Sequence, residues 1–189
     1  MKPRWIPALV SCLAALAGSS WAADWPQWRG PDRTDISKET GLLKSWPKDG
    51  PRLLWTYSDA GIGYSGPAVI GDTLYTLGGD GSKEFVYAFD TKNQKRLWST
   101  EVGDFFESGN GDGPRATPTV DGDHLHVLTG PGDLTCLETG SGKKVWHCNL
   151  RKDLKGEMAS GWGYSESVLV DGDKVVCTPG GKEGAAVSD

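Results

Sequence analysis

The sequence predicts an all-β fold built from repeated antiparallel hairpins, and two observations support this prediction. The 189-residue chain is rich in both glycine (27) and tryptophan (9), a composition typical of short strands joined by tight turns. Three segments also align with one another, so that Gly71, Gly122 and Gly172 fall at equivalent positions. These glycines are separated by 51 and 50 residues, which is the length of a four-stranded repeat.

Each aligned segment is predicted to form the first hairpin of a repeat. Apolar runs flank a Gly-Asp pair that begins at Gly71, Gly122 or Gly172. Glycine supplies the positive φ that a tight hairpin turn needs, and the aspartate side chain is expected to cap the turn. We therefore expect these three glycines to occupy equivalent turns.

A second hairpin is predicted to complete each repeat, and it ends on a tryptophan. The positions that define it are Ala88, Asp90 and Trp98 in the first repeat and Glu138, Gly142 and Trp146 in the second. Both tryptophans are predicted to pack on a neighbouring repeat, and each buried indole is expected to contribute about 2–3 kcal/mol to stability. With two hairpins in about 50 residues, each repeat has the size of one β-propeller blade.

This second hairpin resembles the tryptophan-docking motif of the quinoprotein (PQQ-like) repeat family. In that motif an alanine, an aspartate, a Thr-Gly-Lys turn and a tryptophan follow one another at fixed spacing. Ala88, Asp90 and Trp98 match it in the first repeat, while the second repeat has Glu138 in place of the aspartate. The resemblance spans residues 53–189 and implies a β-propeller of four-stranded antiparallel blades.

The chain before the repeats is predicted to contain a signal peptide and a lead-in segment. Residues 1–22 have a basic head, an apolar run and small residues before a cut between Ala22 and Ala23, which are the features of a secretory signal peptide. Acylation at Cys12, as in a lipoprotein, is the alternative. Residues 23–52 then form the lead-in segment, and the protein is predicted to be periplasmic or secreted.

The remainder, residues 53–189, is predicted to be a partial propeller. We expect blades at about 56–101, 109–149 and 161–189, with the last one incomplete, and an outer strand at residues 53–55 that completes the final blade of the ring. Fewer than three complete blades are therefore expected, whereas a propeller closes with roughly four to eight. No apolar run reaches the roughly 18 residues of a spanning helix, so no transmembrane segment is predicted after signal cleavage.

Charge and side-chain spacing argue against several kinds of partner. The formal net charge is −5, and an acidic chain lacks the positive surface that binds a phosphate backbone, so nucleic acid is not an expected partner. His124 and His126 share one face of a predicted strand, but zinc usually takes three or four protein ligands, and no metal site is predicted. Cys136, Cys148 and Cys177 are interpreted as small buried residues, and their disulfide pairing is left open.

Arg115 is the candidate cofactor-binding residue. It follows a glycine-rich stretch, residues 109–113, where an inner strand is predicted to start and side chains reach the central funnel. Arginine captures carboxylates through two parallel hydrogen bonds, and the family resemblance implies PQQ, a tricarboxylate, with calcium as possible cofactors. The alternative, which we favour, is an Arg115 ion pair at the surface or between blades.

The resemblance implies two classes of function. Some family members are periplasmic dehydrogenases that use PQQ and calcium to oxidise alcohols or sugars, and others are scaffolds for envelope assembly. The dehydrogenases typically carry adjacent cysteines over the quinone, and this sequence has no Cys-Cys pair. We therefore expect a binding or scaffold module, with envelope proteins or a small-molecule ligand as partners, and we identify no catalytic residue.

Overall fold

The computed structural model describes residues 23–181 and 185–187, so the predicted signal peptide, with Cys12, lies outside the described residues. Eleven β-strands and no helix form in the described part of the chain. Within the same residues there is accordingly no helix long and apolar enough to cross a membrane. The predicted all-β class is confirmed.

The first sheet contains four antiparallel strands in the order β1-β2-β3-β4. They are β1 (Ala68–Ile70), β2 (Thr73–Gly79), β3 (Lys83–Asp90) and β4 (Lys95–Asp104). Ala88 in β3 lies opposite Trp98 in β4, next to a register shift. The outer strand β4 continues to Asp104, six residues beyond the tryptophan at which the sequence motif ends.

The second and third sheets repeat this topology. The second has the order β5-β6-β7-β8, with β5 (Thr119–Asp121), β6 (His124–Leu128), β7 (Asp133–Glu138) and β8 (Lys144–Asn149). The third has the order β11-β10-β9 in the described residues, with β9 (Leu169–Asp171), β10 (Lys174–Gly180) and β11 (Ala185–Val187). Consecutive antiparallel sheets, four-stranded in the first two repeats, are what the repeat length predicts.

The first hairpin of each sheet turns at an equivalent glycine. Gly71, Gly122 and Gly172 have φ angles of 54°, 55° and 64°, in the left-handed region. The following aspartates contribute through the backbone: the carbonyl oxygen of Asp72 accepts a hydrogen bond from the amide of Thr91 (2.8 Å). Asp123 accepts the same bond from the amide of Thr139 in the second sheet (2.9 Å). In the first two sheets, the first-hairpin turn is thereby joined to the start of the turn between the third and fourth strands.

The short first strands, β1, β5 and β9, lie side by side, each at the edge of its own sheet. The Thr119 hydroxyl of β5 donates to the carbonyl oxygen of Val168, just before β9, at 2.8 Å. The sheets are thus arranged around the inner strands as blades around an axis, and the free edges of the inner strands face that axis.

The outer strands connect each sheet to the next through a tryptophan. The indole Nε1 of Trp98 donates to the carbonyl oxygen of Thr139 at 3.0 Å, and the Thr100 hydroxyl donates to that of Gly142 at 2.7 Å. Gly142 is buried with a φ of 70°, and a Cβ at this position would lie 2.5 Å from the Trp98 ring. Trp98 therefore packs on the second hairpin of the following sheet.

Trp146, the equivalent of Trp98 in the second sheet, is 39% exposed rather than buried as expected. Its ring lies 5.7 Å from that of His126 in its own sheet. The turn that would receive it is the third-repeat equivalent of Gly142, which would come after β11 and therefore beyond the described residues.

The segment before the first sheet is irregular. Leu53 and Leu54 are 78% and 68% exposed, and residues 53–55, expected to be an outer strand, form none. A strand needs a partner for its backbone groups, and no described strand lies beside these residues. Further towards the N-terminus, Trp25 forms an antiparallel bridge to Val69 of β1.

Candidate functional site

The irregular segments that lead into β1, β5 and β9 converge on one end of the molecule. The amide of Tyr64, before β1, donates to the carbonyl oxygen of Pro114, before β5, at 2.8 Å. The amide of Thr117, before β5, in turn donates a hydrogen bond to the hydroxyl oxygen of Ser167, before β9, at 2.8 Å. Side chains that are about 50 residues apart in sequence are thereby brought together.

Arg115 lies between two aromatic rings at this convergence. Its guanidinium carbon is 4.9 Å from the ring centroid of Tyr64 and 5.0 Å from that of Trp162. A cation held over aromatic faces at these distances is attracted by the negative charge of the π-systems, by about 0.5–1 kcal/mol for an exposed pair. One arginine therefore links the lead-in segments of three successive sheets.

The hydrogen bonds of Arg115 also stay within the protein. Nε donates to the carbonyl oxygen of Trp162 at 3.2 Å, and Nη2 donates to the Ser108 hydroxyl at 3.4 Å and to the carbonyl oxygen of Gly111. The sequence-based alternative of an ion pair is not what the structure shows, because these acceptors are neutral. Arg115 is instead held by stacking and by backbone carbonyls.

The residues around Arg115 are exposed to solvent. Ile62, Tyr64 and Trp162 are 56%, 62% and 46% exposed, whereas Arg115 itself is half-buried. We refer to these four residues as the lead-in surface. Aromatic and arginine side chains are enriched where proteins bind partners, and sequence reasoning identified only Arg115 of the four.

A fully buried carboxylate lies beneath this surface, at Glu84 in β3. Its two oxygens accept hydrogen bonds from the amides of Phe106 (3.2 Å) and Gly130 (3.3 Å), which join the first and second sheets. Burial raises the pKa of Glu84 to about 7, with a smaller contribution from the charge of Asp133, while the two amides and the Arg115 charge act in the opposite direction. Strand alternation places Glu84 on the same face as Val86 and Ala88, a signal that could have identified it as buried.

The predicted repeat positions occupy turns and packing sites. Asp90 accepts hydrogen bonds from the amide and side chain of Asn93 (2.8 and 2.7 Å), which hold its pKa below the usual range. Glu138 accepts the Ser141 hydroxyl at 2.6 Å in the equivalent turn. Ala88 is completely buried. Each of these side chains makes a structural contact within the second hairpins.

A partly open cavity of about 620 Å³ lies between the second and third sheets. Its lining includes His124, His126, Trp146 and Val170. Burial lowers the pKa of His126, which favours the neutral form of its imidazole, and its Nδ1 is buried without a hydrogen-bond partner. In the described part of the chain, no group of three or more His, Cys, Asp or Glu side chains could hold a metal ion.

The cysteines at strand positions are part of the core. Cys136 and Cys177 are buried, and burial raises the pKa of each thiol to about 11. Both therefore stay protonated and pack as small apolar residues, as interpreted from the sequence. Cys148 packs partly buried against the same cluster as Cys177.

The fold defines the class of this protein, and a match to a family model shows the family. Sheets radiating from short inner strands define a β-propeller-type repeat protein. Residues 82–189 match the family model (PQQ_2) described as outer membrane protein assembly factor BamB, more than half of the chain, and the chain belongs to this family of PQQ-like repeat proteins. A search of the curated proteins matched none of them to this chain.

Solved structures with the same fold include three dehydrogenases. Quinohemoprotein alcohol dehydrogenase from Comamonas testosteroni has a TM-score of 0.65 at 24% identity, over 84% of this chain and 24% of that one. A europium-containing methanol dehydrogenase has a TM-score of 0.51 at 23% identity, over 67% of this chain and 22% of that one. Quinohemoprotein alcohol dehydrogenase ADHIIG from Pseudomonas putida HK5 has a TM-score of 0.50 at 21% identity, over 64% of this chain and 17% of that one. At such identities the likeness shows the fold alone, and this chain spans about a quarter or less of each enzyme's length.

Proposed function

We propose that this protein is an exported PQQ-like propeller that acts as a binding or scaffold module, with another protein of the cell envelope as its partner. The observation that carries the proposal is the set of contacts that Arg115 makes within the chain. Its guanidinium is stacked between Tyr64 and Trp162, and its Nε and Nη2 groups donate to acceptors within the chain. It holds the lead-in surface together, and the exposed parts of Tyr64 and Trp162 are available to a partner.

The chemistry of the lead-in surface supports a protein partner. Tyrosine and tryptophan offer large rigid contact areas with a polar group, and they contribute most of the binding energy at many protein interfaces. Tyr64 and Trp162 are both exposed and are held in place by the same arginine. The description of the family model as an assembly factor also supports a partner in the envelope.

The alternative is a PQQ- and calcium-dependent dehydrogenase of alcohols or sugars. It is favoured by the fold shared with quinohemoprotein alcohol dehydrogenases. In such an enzyme Arg115 would bind a PQQ carboxylate, and it would have to give up its hydrogen bonds to Ser108 and Gly111 in order to do so.

Two measurements on the full-length gene product, purified from a periplasm, separate the two functions. A scaffold should show no thermal shift with PQQ and calcium and no dye-linked alcohol oxidation. An envelope protein that cross-links to the wild type should no longer cross-link to the Trp162→Ala variant or to the Tyr64→Ala variant. The same cross-link should form with the Trp46→Ala variant, which is a control because Trp46 is another exposed tryptophan, with 67% of its surface accessible.

Stoichiometric PQQ uptake would overturn the scaffold proposal if it depends on Arg115. A charge-assisted hydrogen bond to a carboxylate is worth about 1.5–3 kcal/mol, so Arg115→Ala would then weaken PQQ binding by roughly ten- to a hundredfold. Calorimetric titration of wild type and Arg115→Ala gives this ratio directly. Equal cross-linking by wild type and Trp162→Ala would count against the lead-in surface as the binding site.

A further inference from the structure

The N-terminal segment of residues 24–35, here called the axial segment, contacts the inner strand region of all three described sheets. Trp25 and Val69 of β1 exchange both of their backbone hydrogen bonds, at 2.8 and 2.9 Å. The carbonyl oxygen of Pro26 then accepts the amide of Val120 in β5 at 2.8 Å. The free edges of β1 and β5, which face the axis, are thus paired with this segment.

Arg33 carries the same segment to the third sheet. Its Nη2 donates to the carbonyl oxygen of Ser167 at 3.2 Å, and its Nη1 donates to that of Val168 at 3.3 Å. Both carbonyls lie immediately before β9. An arginine fork can satisfy two neighbouring backbone acceptors at once, so the segment is held at β1, β5 and the start of β9.

The axial segment is folded on itself before it meets the sheets. Arg29 and Asp35 form an ion pair at 2.7 Å, and the amide of Asp35 donates to the carbonyl oxygen of Arg29 at 3.0 Å. Gly30 is buried with a φ of 80° under the Trp25 ring, where a Cβ would lie 2.8 Å from two ring carbons. The segment therefore presents a fixed shape to the inner strands.

We propose that the axial segment is a plug: a built-in ligand that pairs with the free inner edges of β1 and β5, is anchored just before β9, and closes the space between the three sheets to other ligands. An unpaired strand edge is a template for the addition of an extended peptide. Here the groups at Val69 and Val120 that would bind such a peptide are already taken by Trp25 and Pro26. Partners consequently meet the protein on surfaces away from its axis. This inference does not depend on whether the lead-in surface binds a protein.

Amide hydrogen exchange in the whole chain from Ala23 onwards tests the plug. In the wild type the amides of Val69 and Val120 should exchange slowly, although both lie on edge strands. Gly30→Ala should accelerate both by about tenfold or more, because the added Cβ displaces the Trp25 ring while the central strand β3 keeps its protection. Arg33→Ala, which leaves Trp25 in place, should accelerate Val120 more than Val69.

A matched control and a complementation step complete the test. Arg52→Ala removes an exposed arginine outside the axial segment and should leave both amides unchanged. In a variant lacking residues 24–35, a synthetic peptide of that sequence should restore slow exchange at Val69 and Val120. Fast exchange of these two amides in the wild type, or no effect of either Gly30→Ala or Arg33→Ala, would overturn the proposal.

Discussion

The indole nitrogen of Trp98 donates a hydrogen bond to the carbonyl oxygen of Thr139, 3.0 Å away in the next sheet. The same ring also packs on Gly142, so the outer strand of the first sheet contacts a turn of the second sheet. Adjacent sheets are therefore coupled, and stability is shared between neighbours as in other repeat proteins.

Trp98→Ala should lower the free energy of unfolding by about 2–3 kcal/mol, because it removes a half-buried ring and one of the two donors to the Thr139 carbonyl, the other being the Tyr75 hydroxyl. Urea denaturation followed by circular dichroism measures this loss. Trp146→Ala is the matched control. Because Trp146 is 39% exposed, this substitution should lower the free energy of unfolding by less than half as much. Equal losses in the two variants would show that the contact with Thr139 and Gly142 adds nothing.

Gly142→Ala should destabilise the same contact from its other side. The new Cβ would lie 2.5 Å from the Trp98 ring, and the φ of 70° is unfavourable for alanine, so we expect a loss of about 2–3 kcal/mol. Gly140→Ala, two residues away, meets no atom within 4 Å and serves as the control. The same urea titration should place Gly140→Ala within about 0.5 kcal/mol of wild type.

Glu84 should make stability fall as the pH rises from about 4.5 to about 7. Burial raises its pKa to about 7 in the folded protein, so the folded state keeps a proton that the unfolded chain releases from about pH 4.5 upwards. The full penalty, about 3 kcal/mol, is reached above the folded pKa.

Glu84→Gln should abolish this part of the pH dependence. Urea midpoints of wild type and variant at pH 5 and pH 8 give the difference, in which the contributions of other carboxylates cancel. If the wild type loses no more stability than Glu84→Gln between these pH values, the buried carboxyl is not protonated in the folded protein.

Arg115→Gln should cost about 1–2 kcal/mol of stability even without a ligand, because two ring contacts and the charged donors are lost. Tryptophan fluorescence should change as well, since Trp162 loses the cation beside its ring. Arg96→Gln, at an exposed position on β4, should leave both stability and fluorescence unchanged. An Arg115→Gln variant as stable as Arg96→Gln would mean that the stack contributes no net stability.

Local chemistry accounts for what the sequence predicts correctly. The turns at Gly71, Gly122 and Gly172 need positive φ, and the strands around them alternate in polarity, so topology and repeat length follow from short patterns. The surroundings of Arg115 do not follow in this way. Tyr64 and Trp162 approach it from 51 residues before and 47 residues after, and only packed sheets bring them together.

Two further features depend on the whole fold. Glu84 has a position on the buried face that strand alternation predicts, but its acceptor role depends on amides at Phe106 and Gly130 that come from elsewhere in the chain. The outer strand at residues 53–55 stays a prediction for the converse reason, because an apolar run becomes a strand only beside another strand, and its partners were expected from the final blade rather than from the described sheets.

The contacts of Arg33 impose an order on the folding of the chain. Arg33 leaves the ribosome 134 residues before Ser167, the backbone acceptor that it meets in the third sheet. Closing so long a loop is slow compared with forming a hairpin. Arg33, although it is translated early, is therefore among the last residues to complete its contacts, because its two carbonyl acceptors come with the third sheet.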